Sequence, residues 1–131
     1  MMRRIDIIGT TELFLMLGGS LRPVREWLAG HAPLSPDEHA EMTTAYAGTL
    51  LIPREGFQER PLRAPHYTTS PAGLFGHKAA PGEVCLSTCG ALVLLEVPRF
   101  GIHTLQKLHR AIRAGVSQGR PAAPLAVVLG E

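Results

Sequence analysis

Two short stretches of the sequence carry residue types that could act on a phosphate group. Gly18, Gly19 and Ser20 follow the apolar run of residues 12–17, and Glu96 lies at the end of a second apolar run. A glycine-rich turn after a strand can offer backbone N–H groups to phosphate oxygens. A carboxylate at the end of another strand can orient an attacking water. The two stretches are therefore candidates for a phosphate-binding loop and a catalytic carboxylate.

The complete chemistry needs parts that these stretches lack. Nucleotide hydrolysis also requires a lysine that reaches the phosphates, and a hydroxyl and a strand aspartate that hold Mg²⁺. The turn itself contains no lysine, and the residue before Glu96 is Leu95. A plain tight turn is the simpler interpretation of the glycine pair. Glu96 is catalytic only if the chain is an active enzyme.

The elements that must position these residues follow from apolar spacing and helix-end signals. Strands are predicted at residues 12–17, 91–97 and 124–131, and helices at residues 23–30, 35–48 and 103–115. Ser35 and Glu38 have the spacing of a reciprocal helix cap, and Gly115 suits a helix end. Residues 3–9 are either another strand or an N-terminal extension. Strands that alternate with helices predict an α/β fold with a parallel sheet.

Composition narrows the class of protein further. The chain has 131 residues, of which 45% are hydrophobic and 18% charged, so one folded domain is expected. No apolar run approaches the length that crosses a bilayer, and the net charge of +2 is mildly basic and by itself decides little about the partner. Cys85 and Cys89 lack the second ligand pair of a structural zinc site, so we expect buried thiols and no metal. We therefore expect a cytoplasmic protein without a membrane segment.

A long motif in the second half of the chain identifies a family. Residues 60–76 read RPLRAPHYTTSPAGLFG, and residues 81–100 read PGEVCLSTCGALVLLEVPRF. This sequence resembles the magnesium-chelatase-like AAA+ ATPases, which include the ATPase subunit of magnesium chelatase and bacterial relatives linked to DNA uptake. The resemblance covers most of residues 12–131. It implies a P-loop-NTPase-like αβα core with a parallel sheet and an inserted hairpin at about residues 49–76. We expect residues 1–131 to form a single degenerate AAA+ core domain that lacks the C-terminal lid domain.

The same resemblance assigns positions to the residues of the two stretches. Gly19 falls at the last glycine of the family's phosphate loop, and Ser20 falls at its lysine. Leu95 stands at the Mg²⁺-binding aspartate, while Glu96 stands at the catalytic glutamate. The family pattern is therefore degenerate at the two residues that hold the triphosphate and the metal ion.

Two further features leave alternatives open. Arg63 and His66 belong to the family's RAPH motif, and they either contact a subunit or substrate or hydrogen-bond the loops of their own segment. The helix of residues 103–115 has a basic face, which is either a solvated surface or a weak phosphate contact. We do not expect nucleic acid to be the partner.

The functional expectation is a non-catalytic protein-binding or assembly module. Contact would be made through residues 54–76, and the partner would be a protein, either an active AAA+ subunit or another copy in a homo-oligomer. No cofactor is expected. The alternative is an ATP-binding or ATPase subunit of a magnesium-chelatase-like complex with an atypical nucleotide loop, which would use ATP and Mg²⁺. A DNA-associated accessory protein that binds through the basic helix is a third hypothesis.

Overall fold

A computed structural model describes residues 1–131. Its strands are β1 (Met2–Ile8), β2 (Thr11–Met16), β3 (Leu62–Arg63), β4 (Ala91–Leu94), β5 (Val116–Ser117), β6 (Arg120–Pro121) and β7 (Ala126–Gly130). Its helices are α1 (Arg22–Ala29), α2 (Pro36–Tyr46), α3 (Pro71–Phe75), α4 (Glu83–Leu86) and α5 (Ile102–Ala114), and Val97–Phe100 form a 3₁₀ turn. None of the helices has both the length and the apolar character that crossing a membrane requires.

The main sheet has the strand order β1-β2-β7-β4-β3. Strands β2, β7, β4 and β3 run parallel to one another, whereas β1 pairs antiparallel with β2 at the edge. The predicted α/β class with a mainly parallel sheet is confirmed. Residues 3–9, for which a strand and an extension were both considered, lie mostly within β1.

Apolar side chains on both faces of the sheet form the core, which makes the layers αβα. On one face, Val24 and Leu28 of α1 pack with Phe14, Val93 and Val128. On the other face, α5 and the central strands share a second cluster that contains Leu92, Leu94, Leu108, Ile112 and Val127. The alternation of adjacent β4 residues between the two clusters explains why all four are buried.

Helix α2 begins as its sequence predicts. Ser35 accepts a hydrogen bond from the Glu38 backbone N–H, and the Glu38 carboxylate accepts one from the Ser35 N–H at 3.0 Å. Its buried face consists of Met42, Ala45 and Tyr46, which pack against Phe57 and Leu86. Helix α2 therefore anchors the segment that follows it to the body of the domain.

Residues 49–76 form no β-hairpin, which corrects one detail of the prediction. The segment contains the two-residue strand β3, which pairs in parallel with β4, and the short helix α3. The segment contains four prolines, which are Pro53, Pro61, Pro65 and Pro71. A proline cannot donate a backbone hydrogen bond to a strand ladder, so long paired strands are disfavoured here.

Candidate functional site

The predicted phosphate loop and Glu96 meet at one edge of the sheet. Residues 18–20 follow β2, Glu96 follows β4, and Gly130 ends β7 between them. These three strands are parallel, so their carboxyl ends share an edge. Ligands of open α/β sheets bind in this position. Residues 18–20 and Glu96 therefore lie at the end of the sheet where ligands of this fold class bind.

The loop itself offers no cation to a phosphate. Gly18 has a φ of +84°, and both Gly18 and Gly19 have open space around them. The Ser20 hydroxyl accepts a hydrogen bond from the Arg22 N–H at 3.2 Å and so serves the start of α1. The Arg22 side chain pairs with Glu26 along the exposed helix surface. The guanidinium nearest in sequence to the loop is thus already engaged by a carboxylate.

Leu95 occupies the position where the resemblance expects a metal-binding carboxylate. Its side chain is partly buried and packs on the cluster that contains Phe14, Met16 and Val24. A Cβ on Gly130 would lie only 2.8 Å from Leu95 Cδ2, so the leucine fills space that a side chain on β7 would need. An apolar group in this place cannot coordinate Mg²⁺, which requires oxygen ligands.

Glu96 is held in an unusual backbone conformation. Its φ of 55° and ψ of 47° lie in the left-handed region, which is uncommon for residues with a side chain. The Glu96 N–H donates to the Glu131 carbonyl oxygen at 3.2 Å, which ties the position to the end of β7. The side chain is 53% exposed, and one carboxylate oxygen lies 3.6 Å from Arg99 Nε. A carboxylate remains at the sheet edge, but it faces water.

The two predicted residues of the RAPH motif have different surroundings. Arg63 donates two hydrogen bonds to the Glu83 carboxylate, at 2.7 and 2.8 Å, and so clamps β3 to α4. This carboxylate raises the pKa of the Arg63 guanidinium above its ordinary value. His66 is exposed; its Nδ1 accepts from the Thr68 N–H at 3.2 Å, and its ring stacks on Tyr67. The ion pair with Glu83 favours the hypothesis that Arg63 makes its contacts within the chain. His66, in contrast, remains exposed to solvent.

Tyr67 extends the stack of His66 to a third side chain. The Arg99 guanidinium lies 5.0 Å from the centre of the Tyr67 ring and donates to its hydroxyl at 3.2 Å. His66, Tyr67 and Arg99 thus form a surface row that ends beside Glu96. No group of three or more histidine, cysteine, aspartate or glutamate side chains has the geometry to bind a metal ion.

The Arg60 side chain donates five hydrogen bonds to other parts of the chain. These contacts were not predicted from the sequence. The Arg60 side chain is 10% exposed, and it donates to the Glu38 carboxylate, to the Ala32 carbonyl at 2.9 Å and to the Cys89 carbonyl at 3.0 Å. The hydrogen bond from Arg60 is the main cause that lowers the pKa of Glu38 to about 2. The only signal in the sequence was that Arg60 opens the family motif.

Both cysteines are free and buried, as predicted. Burial raises the pKa of the Cys85 thiol, and it raises the pKa of the Cys89 thiol to about 12. Burial disfavours the charged thiolate, which is the nucleophilic and metal-binding form, so buried thiols of this kind are poor nucleophiles and metal ligands. The cysteines therefore serve packing.

A cavity that is open to solvent lies away from the sheet edge. It has a volume of about 720 Å³ and is formed by residues 25, 28–29 and 31–34 on one side and residues 53, 55 and 57–62 on the other. Its walls include Leu28, Leu34 and Phe57, and exposed charged side chains surround it. This cavity is thus separate from the predicted phosphate loop.

These features define a P-loop-like αβα domain with a mainly parallel sheet. The family model described as magnesium chelatase, subunit ChlI, matches residues 27–118. The chain therefore belongs to the magnesium chelatase family, and the resemblance inferred from its motifs is confirmed.

Three relatives match over the same part of the sequence. The uncharacterized protein YifB of Salmonella typhimurium is 36% identical over 89 residues, which cover 63% of this chain and 17% of YifB. The competence protein ComM of Haemophilus influenzae is 34% identical over 94 residues, 67% of this chain and 18% of ComM. YifB of Escherichia coli is 38% identical over 89 residues, 63% of this chain and 18% of YifB. The matched region thus spans less than a fifth of the length of these relatives.

Proposed function

We propose that this chain is a non-catalytic member of the magnesium chelatase family and acts as a protein-binding or assembly module. The observation that carries the proposal is the position of Leu95, which packs beside α1 and over Gly130 where Mg²⁺ would be held. The loop of residues 18–20 supports the same conclusion because it contains no lysine. Without a cationic anchor and a metal-binding carboxylate, a triphosphate has nothing that neutralises its charge.

The proposed contact surface begins just before the expected contact segment of residues 54–76, with a run of exposed aliphatic residues that we call the apolar tip. The apolar tip consists of Leu50, Leu51 and Ile52, whose exposed fractions are 102%, 53% and 36%. The tip begins the segment of residues 49–76 and is followed by the exposed Arg54. Contiguous exposed apolar residues are typical of surfaces that bind other proteins. The partner is accordingly a protein, either an active AAA+ subunit or another copy of this chain.

Nucleotide titration tests the non-catalytic half of this proposal. Isothermal calorimetry of the full chain with ATP, with and without Mg²⁺, is expected to show no binding heat up to about 1 mM nucleotide. The melting temperature should likewise stay unchanged, because a ligand that does not bind the native state cannot stabilise it. Saturable binding at micromolar concentration would refute the proposal.

The alternative, an ATP-binding subunit with an atypical loop, has one observation in its favour. Glu96 keeps an exposed carboxylate at the sheet edge in a left-handed conformation, and such conformations concentrate at functional sites. A phosphate-release assay on the wild type and on Glu96→Gln separates the two functions. Phosphate release that is lost in Glu96→Gln would establish the alternative, whereas equal background in both proteins agrees with the non-catalytic module.

A further inference from the structure

The charges of the chain are unevenly distributed along the sequence. Residues 97–130 contain five lysines and arginines and no aspartate or glutamate, whereas ten of the eleven acidic residues precede residue 97. Helix α5 holds three of these cations, Lys107, Arg110 and Arg113, together with His103 and His109, and all five side chains are exposed. The small net charge of the whole chain therefore conceals a basic surface on one helix.

No carboxylate of the chain forms a salt bridge with a residue of α5. The helix packs against β1, α4, β5 and the 3₁₀ turn. The acidic residues in or beside these elements are Asp6, Glu83 and Glu96. Each of them has another partner, which is a backbone N–H for Asp6 and an arginine for the two glutamates. The cations of α5 are therefore available to a group from outside the chain.

The spacing of these residues aligns them along the helix. Residues three or four positions apart are neighbours on a helix surface, so His103, Lys107 and Arg110 form one row, and the opposite side of α5 packs in the core. The Lys107 ammonium lies 4.5 Å from the centre of the buried Phe75 ring, an attractive cation–π distance. Lys107 is therefore partly held in place before any partner binds.

A shallow depression with apolar side chains adjoins this row. It is lined by Ile102, Leu105, Gln106, His109 and Arg110. Ile102 is 63% exposed, and Leu105 is partly buried. An aliphatic side chain placed here would remove apolar surface from water while acidic groups beside it reach Arg110. The surface thus offers cations and an apolar contact side by side.

We infer that the exposed side of α5 binds an acidic segment of a partner protein, in which aspartates or glutamates flank an aliphatic side chain. The carboxylates pair with Lys107, Arg110 and Arg113, and the aliphatic side chain lies in the depression beside Ile102. A polypeptide supplies both kinds of group, whereas the backbone of a nucleic acid supplies phosphates and no aliphatic side chain. This surface lies on a different element from the apolar tip, so the inference goes beyond the proposed function and does not depend on it.

Fluorescence anisotropy with a synthetic peptide is the first test. The probe is a fluorescein-labelled peptide of about 12 residues in which glutamates surround a single leucine. Its dissociation constant should be on the order of 100 µM at low salt and should rise about fivefold in about 0.3 M NaCl, because salt screens exposed ion pairs. A peptide with serine in place of the leucine should bind about threefold more weakly.

Substitutions on α5 locate the contact. The double variant Arg110→Gln, Arg113→Gln should bind the peptide about tenfold more weakly than the wild type. Arg25→Gln, Arg54→Gln is the matched control and should bind like the wild type, because it removes two exposed arginines that also lack a salt bridge but lie outside α5. Ile102→Ser should weaken binding of the leucine peptide about threefold and leave binding of the serine peptide unchanged. Circular dichroism of each variant checks that the fold is intact.

A labelled DNA duplex of about 12 base pairs is the competing probe, and it should bind more weakly than the leucine peptide at about 0.15 M salt. Four outcomes would overturn the inference: no peptide binding at about 1 mM chain, unchanged affinity of the Arg110→Gln, Arg113→Gln variant, equal affinity for the two peptides, or tighter binding of the duplex, which would assign the surface to nucleic acid. Nucleotide binding is measured separately, so ATP binding would refute the non-catalytic role alone, and a failure to bind the peptide would refute this inference alone.

Discussion

The ion pair between Arg60 and Glu38 predicts a specific acid sensitivity of the fold. The folded-state pKa of Glu38 is lowered from 4.5 to about 2, mainly by the hydrogen bond from Arg60. At about 1.4 kcal/mol for each pKa unit, the charged carboxylate contributes up to about 3 kcal/mol to the free energy of unfolding. Both side chains are less than one third exposed, so solvent screens the pair only in part.

The sign of the effect follows from the lowered pKa. The stabilisation is fully present above the unfolded-state pKa of 4.5 and is lost as the pH falls toward about 2. Between about pH 6 and about pH 3, linkage gives a loss of about 2 kcal/mol from this one carboxyl group. Glu38→Gln cannot titrate, so its free energy of unfolding should fall by about 2 kcal/mol less over the same interval.

Urea denaturation followed by far-ultraviolet circular dichroism at several pH values measures these differences. Glu26→Gln is the matched control, because Glu26 pairs with Arg22 on an exposed helix surface and such pairs contribute little. Its pH profile should follow that of the wild type. If Glu38→Gln and the wild type lose stability in parallel as the pH falls, the Arg60 hydrogen bond does not lower the pKa of Glu38 in solution.

Three more predictions follow from close contacts and buried groups. A Cβ at Gly90 would lie 1.9 Å from the Pro61 carbonyl oxygen, so Gly90→Ala should lower the free energy of unfolding by about 3 kcal/mol or more in urea titrations. Gly130→Ala should destabilise because its methyl group meets Leu95, and adding Leu95→Ala should remove most of that penalty in a double-mutant cycle. The Cys89 thiol, whose pKa is raised to about 12, should resist Ellman's reagent at neutral pH until the chain unfolds.

A specific experimental result would contradict each of these three predictions. Gly19→Ala is the control for Gly90→Ala, because nothing lies within 4 Å of the added methyl group, and equal stability loss in the two variants would contradict the packing argument. Additive effects of Gly130→Ala and Leu95→Ala would show that the two positions do not compete for space. Rapid labelling of the folded protein by Ellman's reagent would mean that the thiols are accessible.

The sequence by itself determined the elements whose signals are local. The reciprocal cap of Ser35 and Glu38 starts α2, and the apolar spacing of Leu105, Leu108 and Ile112 turns one stripe of α5 toward the core. Such signals depend on residues three or four positions apart, which can be read without coordinates. The family motif and the absence of a loop lysine were likewise readable from the sequence, so fold class and family were both predicted correctly.

Only the tertiary structure decided which partner each polar side chain finds. Arg63 binds Glu83, 20 residues away, and Arg60 binds Glu38, 22 residues away, so the side chains of both arginines are engaged within the chain. The absence of a hairpin in residues 49–76 was likewise decided by the tertiary structure, because β3 pairs with the distant β4 instead of a neighbouring segment. Contacts of this kind depend on how the layers pack, and packing joins residues whose spacing in the sequence carries no periodic signal.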